Sequence, residues 1–152
     1  MRALLQRVTE AHGDLIDDAA GTAERLSAIG PGLVVLVCAE KPDTAETAAY
    51  FARKIAALRV FNDDQGKTNL SILDVSGEAL VISQFTLAAD WKKGNRPGFS
   101  NAADPETAER LYLDFVEKLK AEGVPVKTGK FRSHMRVNLS NDGPFTLWME
   151  SD

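Results

Sequence analysis

The sequence predicts an α/β (α+β) fold: mixed, mostly antiparallel β-sheets in a layered or barrel-like arrangement, with two main helices on one side. Three observations carry this expectation. The runs "LVVLVCAE" (33–40) and "EALVISQFTLA" (78–88) are almost continuously apolar, as strands covered on both faces are. Two other segments join helix-start chemistry to apolar residues recurring at three and four positions. Strand-like stretches outnumber these helices, and the 152 residues show no repeat or linker, so one domain spanning 1–152 is expected.

Along the chain, "RALLQRV" (2–8) reads as a first strand. The next stretch, 9–32, is polar, acidic and without clear period, and is expected to form an irregular hairpin or loop. After the 33–40 strand a helix starts at Asp43. Asp43 and Glu46 have capping-box spacing, and Phe51, Ile55 and Leu58 make its buried stripe. "LRVF" and "NLSILDV" bracket the Gly-containing turn "NDDQGKT" as a hairpin-like pair. A strand over 78–88 leads to a long polar loop, 90–104. Asp104 then caps a second helix, with Pro105 at its first position and Leu111, Phe115 and Leu119 facing inward. "VPVKTG", "HMRVNLS" and "FTLWME" complete the chain as strands.

Hydrophobic residues at 44% and charged residues at 26% are ordinary for a water-soluble globular protein. The 33–39 run is too short to span a bilayer, and no secretion signal is visible, so a cytoplasmic location with no membrane association is expected. The single cysteine, Cys38, lies within an apolar strand and reads as a small core residue. With two histidines, His12 and His134, and no Cys/His cluster, the sequence offers no metal site and no cofactor motif. A net charge of −4 argues against wrapping nucleic acid. Two basic clusters, "WKKGNR" and "KTGKFRSHMR", leave room for local contact with one end of it.

Two stretches concentrate unusual chemistry. "SQFTLAAD" (83–90) brings Ser83, Gln84 and Thr86 to the end of an apolar strand, where ligands often bind. "SNDGPFTL" (140–147) sets a rigid Asn-Asp-Gly-Pro turn between two strands that a plain Asn-Gly would join more simply. The residues alone leave open a triad of Ser83 or Ser133 with His134, although no spacing favours it.

These two motifs, with "ALLQRV", "RVFNDDQGKTNLS", "RPGFS" and "TGKF" followed by Met135, resemble the D-aminoacyl-tRNA deacylase family closely over nearly all the chain except about 10–30. The resemblance implies hydrolysis of the ester joining a D-amino acid, or glycine mischarged on tRNA-Ala, to the 3′ acceptor end of tRNA. It implies a homodimer in which a cis Gly143–Pro144 peptide of one subunit enters the partner's site, its carbonyls excluding L side chains. It places Ser83, Gln84 and Thr86 at the chemistry and Phe85, Leu87, Phe131 and Met135 around the substrate, with Arg7 holding the Gly-Pro segment. On this resemblance the substrate's own 2′-hydroxyl and main-chain groups do most of the work. Thr86 is either nucleophile or positioning group, and the lack of a base at fixed spacing favours positioning. Arg132 and Ser133 depart from the family pattern, in which small residues follow the Phe. A silent RNA-end binder and a small-ester hydrolase on the same scaffold stand as the other readings.

Overall fold

The computed structural model describes residues 1–151 and is built around one curled sheet with two helices on its outer face. β1 (Arg2–Asp17) and β2 (Thr22–Ile29) form an antiparallel hairpin, followed by β3 (Gly32–Cys38), α1 (Ala45–Ala57) and the short pair β4 (Phe61–Asn62) and β5 (Thr68–Leu70). Then come β6 (Glu78–Ser83), a 3₁₀ turn over Phe85–Ala88, α2 (Pro105–Ala121), β7 (Val126–Thr128) and β8 (Met135–Glu150). Strand order is β2-β1-β3-β6-β7, with β8 along the other side of β1.

β3 lies antiparallel to β1 but parallel to β6, and β6 is parallel to β7. Parallel neighbours need a crossover, which the segments containing α1 and α2 supply. Both helices therefore cover one face, where Phe51, Ile55, Phe115 and Leu119 pack on Leu33, Val35, Val37 and Val81. The opposite face of the same strands buries Val34, Leu80 and Ile82 with Val8, Ala11 and Ile29. Burial on both faces is why the 33–40 and 78–83 runs are almost unbroken in hydrophobicity. β2 curls over to approach β6 and β7, giving the barrel-like closure.

Several expectations need correction. Residues 9–32 take the hairpin alternative, with more strand than expected: β1 continues to Asp17, bulged between Gly13 and Asp14, and turns into β2 through an Asx turn, Asp17 Oδ1 accepting from the N–H groups of Ala19 and Ala20 at 3.0 Å each. The α1 N-cap is Thr44, which shares a capping box with Thr47. Asp43 is engaged elsewhere, accepting from the Met1 amine and from the Glu40 N–H. "SILDV" is not a strand, because Asp74 Oδ2 accepts from the Ser71 N–H at 2.8 Å and closes a turn. The 78–88 strand stops at Ser83. Asp104 does cap α2, accepting from the Thr107 N–H at 3.0 Å, with Pro105 behind it.

The C-terminal half differs most. "MRVNL" and "FTLWME" are not two strands joined by a hairpin turn; both pair with β1 as parts of one strand. Thr146 faces Gln6 and Asn141 faces Val8, so the four residues 142–145 are looped out opposite Arg7. The motif is a wide bulge on an edge strand, and the outer edge of β8 pairs with no strand among the described residues.

Candidate active site

The carboxyl ends of the parallel strands β6 and β7 open on a cavity of about 480 Å³. A crevice at this end of parallel strands is the usual ligand position in α/β sheets. Ile82, Ser83, Gln84 and Phe85 line one side; Gly129, Phe131, Arg132, His134, Met135 and Val137 line the other. Of the site residues named from the sequence, Ser83, Gln84, Phe85, Phe131 and Met135 line this one cavity.

Local geometry fixes both walls. Gln84 leaves β6 with its N–H still donating to Val37 O at 2.8 Å, and the chain then coils into the 3₁₀ turn. The N–H groups of Phe85 and Thr86 open that turn and meet no acceptor among the described residues. Gln84 Nε2 donates to Thr86 Oγ1 at 2.5 Å, and the Leu87 carbonyl accepts from Arg2 at 2.9 Å. Thr86 and Leu87 stand beside the cavity, not on its lining. Cys38 lies beneath, its thiol donating to Ala39 O at 3.4 Å and facing Phe85 O at 3.6 Å; burial pushes its pKa up to about 11. A neutral thiol there is packing, not a nucleophile.

On the other wall, Met135 packs over Gly129: a Cβ there would sit 2.6 Å from Met135 Sδ and 3.0 Å from Ile82 Cδ1, so a side chain would require the methionine to shift. Gly13 likewise faces Met135 Cε, at 2.8 Å from its would-be Cβ. Met135 thus lies between two glycines, one of them, Gly129, in its own motif and the other, Gly13, on β1. Arg132 sits at the mouth, exposed, with φ at +55°, backbone that favours glycine. His134 Nδ1 lies 2.8 Å from Asp18, but no hydrogen bond links its ring to Ser83 or Ser133; Ser133 Oγ donates instead to Phe131 O at 3.4 Å. The triad arrangement is not assembled.

Arg7, Gly143 and Pro144 form a second constellation away from this cavity. The Gly143–Pro144 peptide is cis. Buried Arg7 donates to Val60 O at 2.6 Å, to Asp142 O at 3.1 Å and to Gly143 O at 3.3 Å. It also pairs with the Asp142 carboxylate at 3.1 Å and lies 4.5 Å from the Phe145 ring centre. From the other side Asn141 Nδ2 donates to Arg7 O at 2.9 Å and to Phe145 O at 3.1 Å. The looped-out segment is clamped from both ends, yet it lines no part of its own chain's cavity.

Comparison with known proteins identifies the family. The family model described as D-Tyr-tRNA(Tyr) deacylase matches residues 4–150. Proteins named D-aminoacyl-tRNA deacylase from Cereibacter sphaeroides and Dinoroseobacter shibae are 52% and 54% identical to this chain. Each match covers 99% of the chain, and 100% and 99% of the relative. A solved structure titled c-Myc DNA Unwinding Element Binding Protein superposes with a TM-score of 0.89 at 40% identity, covering 100% of this chain and 99% of that one. A probable eukaryotic D-amino acid tRNA deacylase shares the fold, with a TM-score of 0.79 at 18% identity over 97% of each chain. The chain belongs to the D-Tyr-tRNA deacylase family.

Proposed function

We propose that this member of the deacylase family hydrolyses the ester of D-aminoacyl-tRNA, releasing free D-amino acid and tRNA in the cytoplasm. The observation that carries the finer reading is the separation of the two constellations. The cavity holds Ser83, Gln84, Phe85, Phe131 and Met135, while the clamped Gly143–Pro144 segment projects from an unpaired edge of the same chain. A two-fold dimer allows each projecting segment to enter the partner's cavity and complete it.

In that arrangement the carbonyls of the partner's looped-out segment wall off the side on which an L side chain would lie. Such a wall excludes by position and reads no side-chain identity, so D-amino acids of many kinds pass, and glycine passes as well. The terminal adenosine occupies the side lined by Phe131 and Met135. The ester carbonyl lies against the Phe85 and Thr86 N–H groups, which supply oxyanion donors. Thr86, already held by Gln84, positions the substrate, and the terminal 2′-hydroxyl orients the attacking water. Water adds to the carbonyl carbon, the bond to the ribose 3′-oxygen breaks, and that oxygen takes up the proton.

Matched D- and L-aminoacyl-tRNA distinguish this reading from a silent RNA-end binder: release of D-amino acid alone is expected, and no release from either refutes it. Thr86→Ala should slow turnover about tenfold, the value of one positioning hydrogen bond. Replacing the terminal ribose by 2′-deoxyribose should cost far more. An inactive Thr86→Ala enzyme alongside normal cleavage of the deoxy substrate overturns the assignment of roles.

A further inference from the structure

The loop leaving the candidate site carries a feature that the reaction itself does not use. After the 3₁₀ turn the chain forms a small hairpin closed by reciprocal backbone bonds, Asp90 N–H to Gly98 O at 2.8 Å and Gly98 N–H to Asp90 O at 2.9 Å. Its far end is held against the cavity wall: Phe99 packs edge-on on Phe85, which lines the cavity, with ring centres 5.1 Å apart. Trp91 stands on this hairpin 71% exposed, more than any other large hydrophobic residue among those described. No aromatic or cationic side chain packs on its ring.

Lys92, Lys93 and Arg96 on the same hairpin are exposed and form no ion pair among the described residues. The one carboxylate there, Asp90, turns back to accept from the Lys92 N–H at 3.2 Å. Three free cations around a bare indole, in a chain of net charge −4, form a local positive field with a stacking face. That pairing is what single-stranded nucleic acid requires: charge for the backbone and a flat ring for a base.

Resting on the deacylase reading, we propose that hairpin 90–98 is a docking arm for the unpaired 3′ strand of the RNA. Trp91 stacks on a base of the strand that leads into the cavity, and Lys92, Lys93 and Arg96 neutralise its phosphates. The arm gives the enzyme affinity for a tRNA end that an aminoacyl-adenosine fragment, held by the cavity alone, does not share.

A Trp148→Phe background leaves Trp91 as the only tryptophan. Titration with a short single-stranded RNA ending in CCA should quench its fluorescence saturably, with affinity falling as salt rises. In kinetics, the ratio of kcat/KM on D-aminoacyl-tRNA to that on D-aminoacyl-adenosine should fall about tenfold in Trp91→Leu, the scale of one lost base stack. Lys92→Ala/Lys93→Ala/Arg96→Ala should flatten the salt dependence on tRNA only. Absence of quenching, an unchanged ratio, or a Trp91→Leu variant whose main change is its oligomeric state overturns the docking arm. Failure of the unmodified enzyme on both substrates would instead refute the deacylase reading, and the fluorescence titration would still judge the arm.

Discussion

Arg7→Met keeps most of the buried stem of Arg7 and removes its guanidinium, which isolates what that group does. The Val60 carbonyl loses a buried 2.6 Å bond, at a cost of about 1–3 kcal/mol for an unsatisfied acceptor. Losing the cation from the Phe145 ring adds about 0.5–1 kcal/mol. The pair with Asp142, whose side chain is half exposed, adds about 0.2–1 kcal/mol. Asp142 O and Gly143 O lie on exposed residues where water replaces the guanidinium, so they add little to global stability. The sum is about 2–5 kcal/mol, which at about 1–3 kcal/mol per molar lowers the urea midpoint by roughly 1 M or more.

Those two water-exposed contacts matter differently. They hold the looped-out segment in place, so their loss should blunt discrimination between D- and L-aminoacyl-tRNA more than stability alone explains. Arg7→Lys, which can still reach one carbonyl but not three, should be intermediate in both respects. Urea unfolding at fixed protein concentration, paired with D and L deacylation rates under native conditions, measures both. A midpoint within about 0.2 M of the unmodified protein, or a destabilised variant with an unchanged D to L ratio, would refute the reasoning.

Two further outcomes follow from local chemistry. Burial raises the Cys38 thiol to about 11 and the Tyr112 phenol to about 12, so both are held neutral in the folded state. Their contributions are fully present below the unfolded values of 9 and 10 and are lost as pH rises through 11 and 12; stability should therefore decline only above about pH 9. Cys38→Ala should remove the earlier part of that decline, and an equally early decline in the variant counts against it. Arg132→Gly relieves left-handed backbone worth about 1–2 kcal/mol, offset by about 0.4–1 kcal/mol of extra unfolded-state freedom. A net gain of about 0.5–1 kcal/mol is expected in thermal or urea unfolding. A loss would mean that the Arg132 side chain stabilises the fold.

What the sequence revealed follows from where burial is. β3 and β6 were legible because both their faces are covered, and α2 because Asp104 and Pro105 mark its start unambiguously. β2 was not legible because nearly all of it is exposed, and backbone pairing with β1 holds it without a hydrophobic period. At α1 the sequence pointed to Asp43 as the cap, and only the fold shows that the Met1 amine occupies Asp43 and that Thr44 caps the helix. The two site motifs stood out by composition. Asn141 as a clamp on Arg7 O, and Gly13 beside Met135, are contacts between segments far apart in sequence, and no local pattern announces them.

On the reading proposed above, these contacts give a site with so little ionisable chemistry a way to be selective. A wall that sorts by chirality must be fixed to within a fraction of a side-chain radius, and flexible polar side chains do that poorly. Here the looped-out segment is fixed by Arg7 and Asn141, both bonded to main-chain carbonyls. On the cavity wall, Met135 fills the space left by the missing side chains of Gly13 and Gly129. Each half is rigid through contacts within its own chain, and on the dimer reading the only adjustable quantity is how the two halves meet. Substitutions inside either half should then change stability and selectivity together. Substitutions confined to the exposed edge of β8, such as Leu139→Lys, should weaken assembly and activity while leaving the unfolding of the isolated chain nearly unchanged.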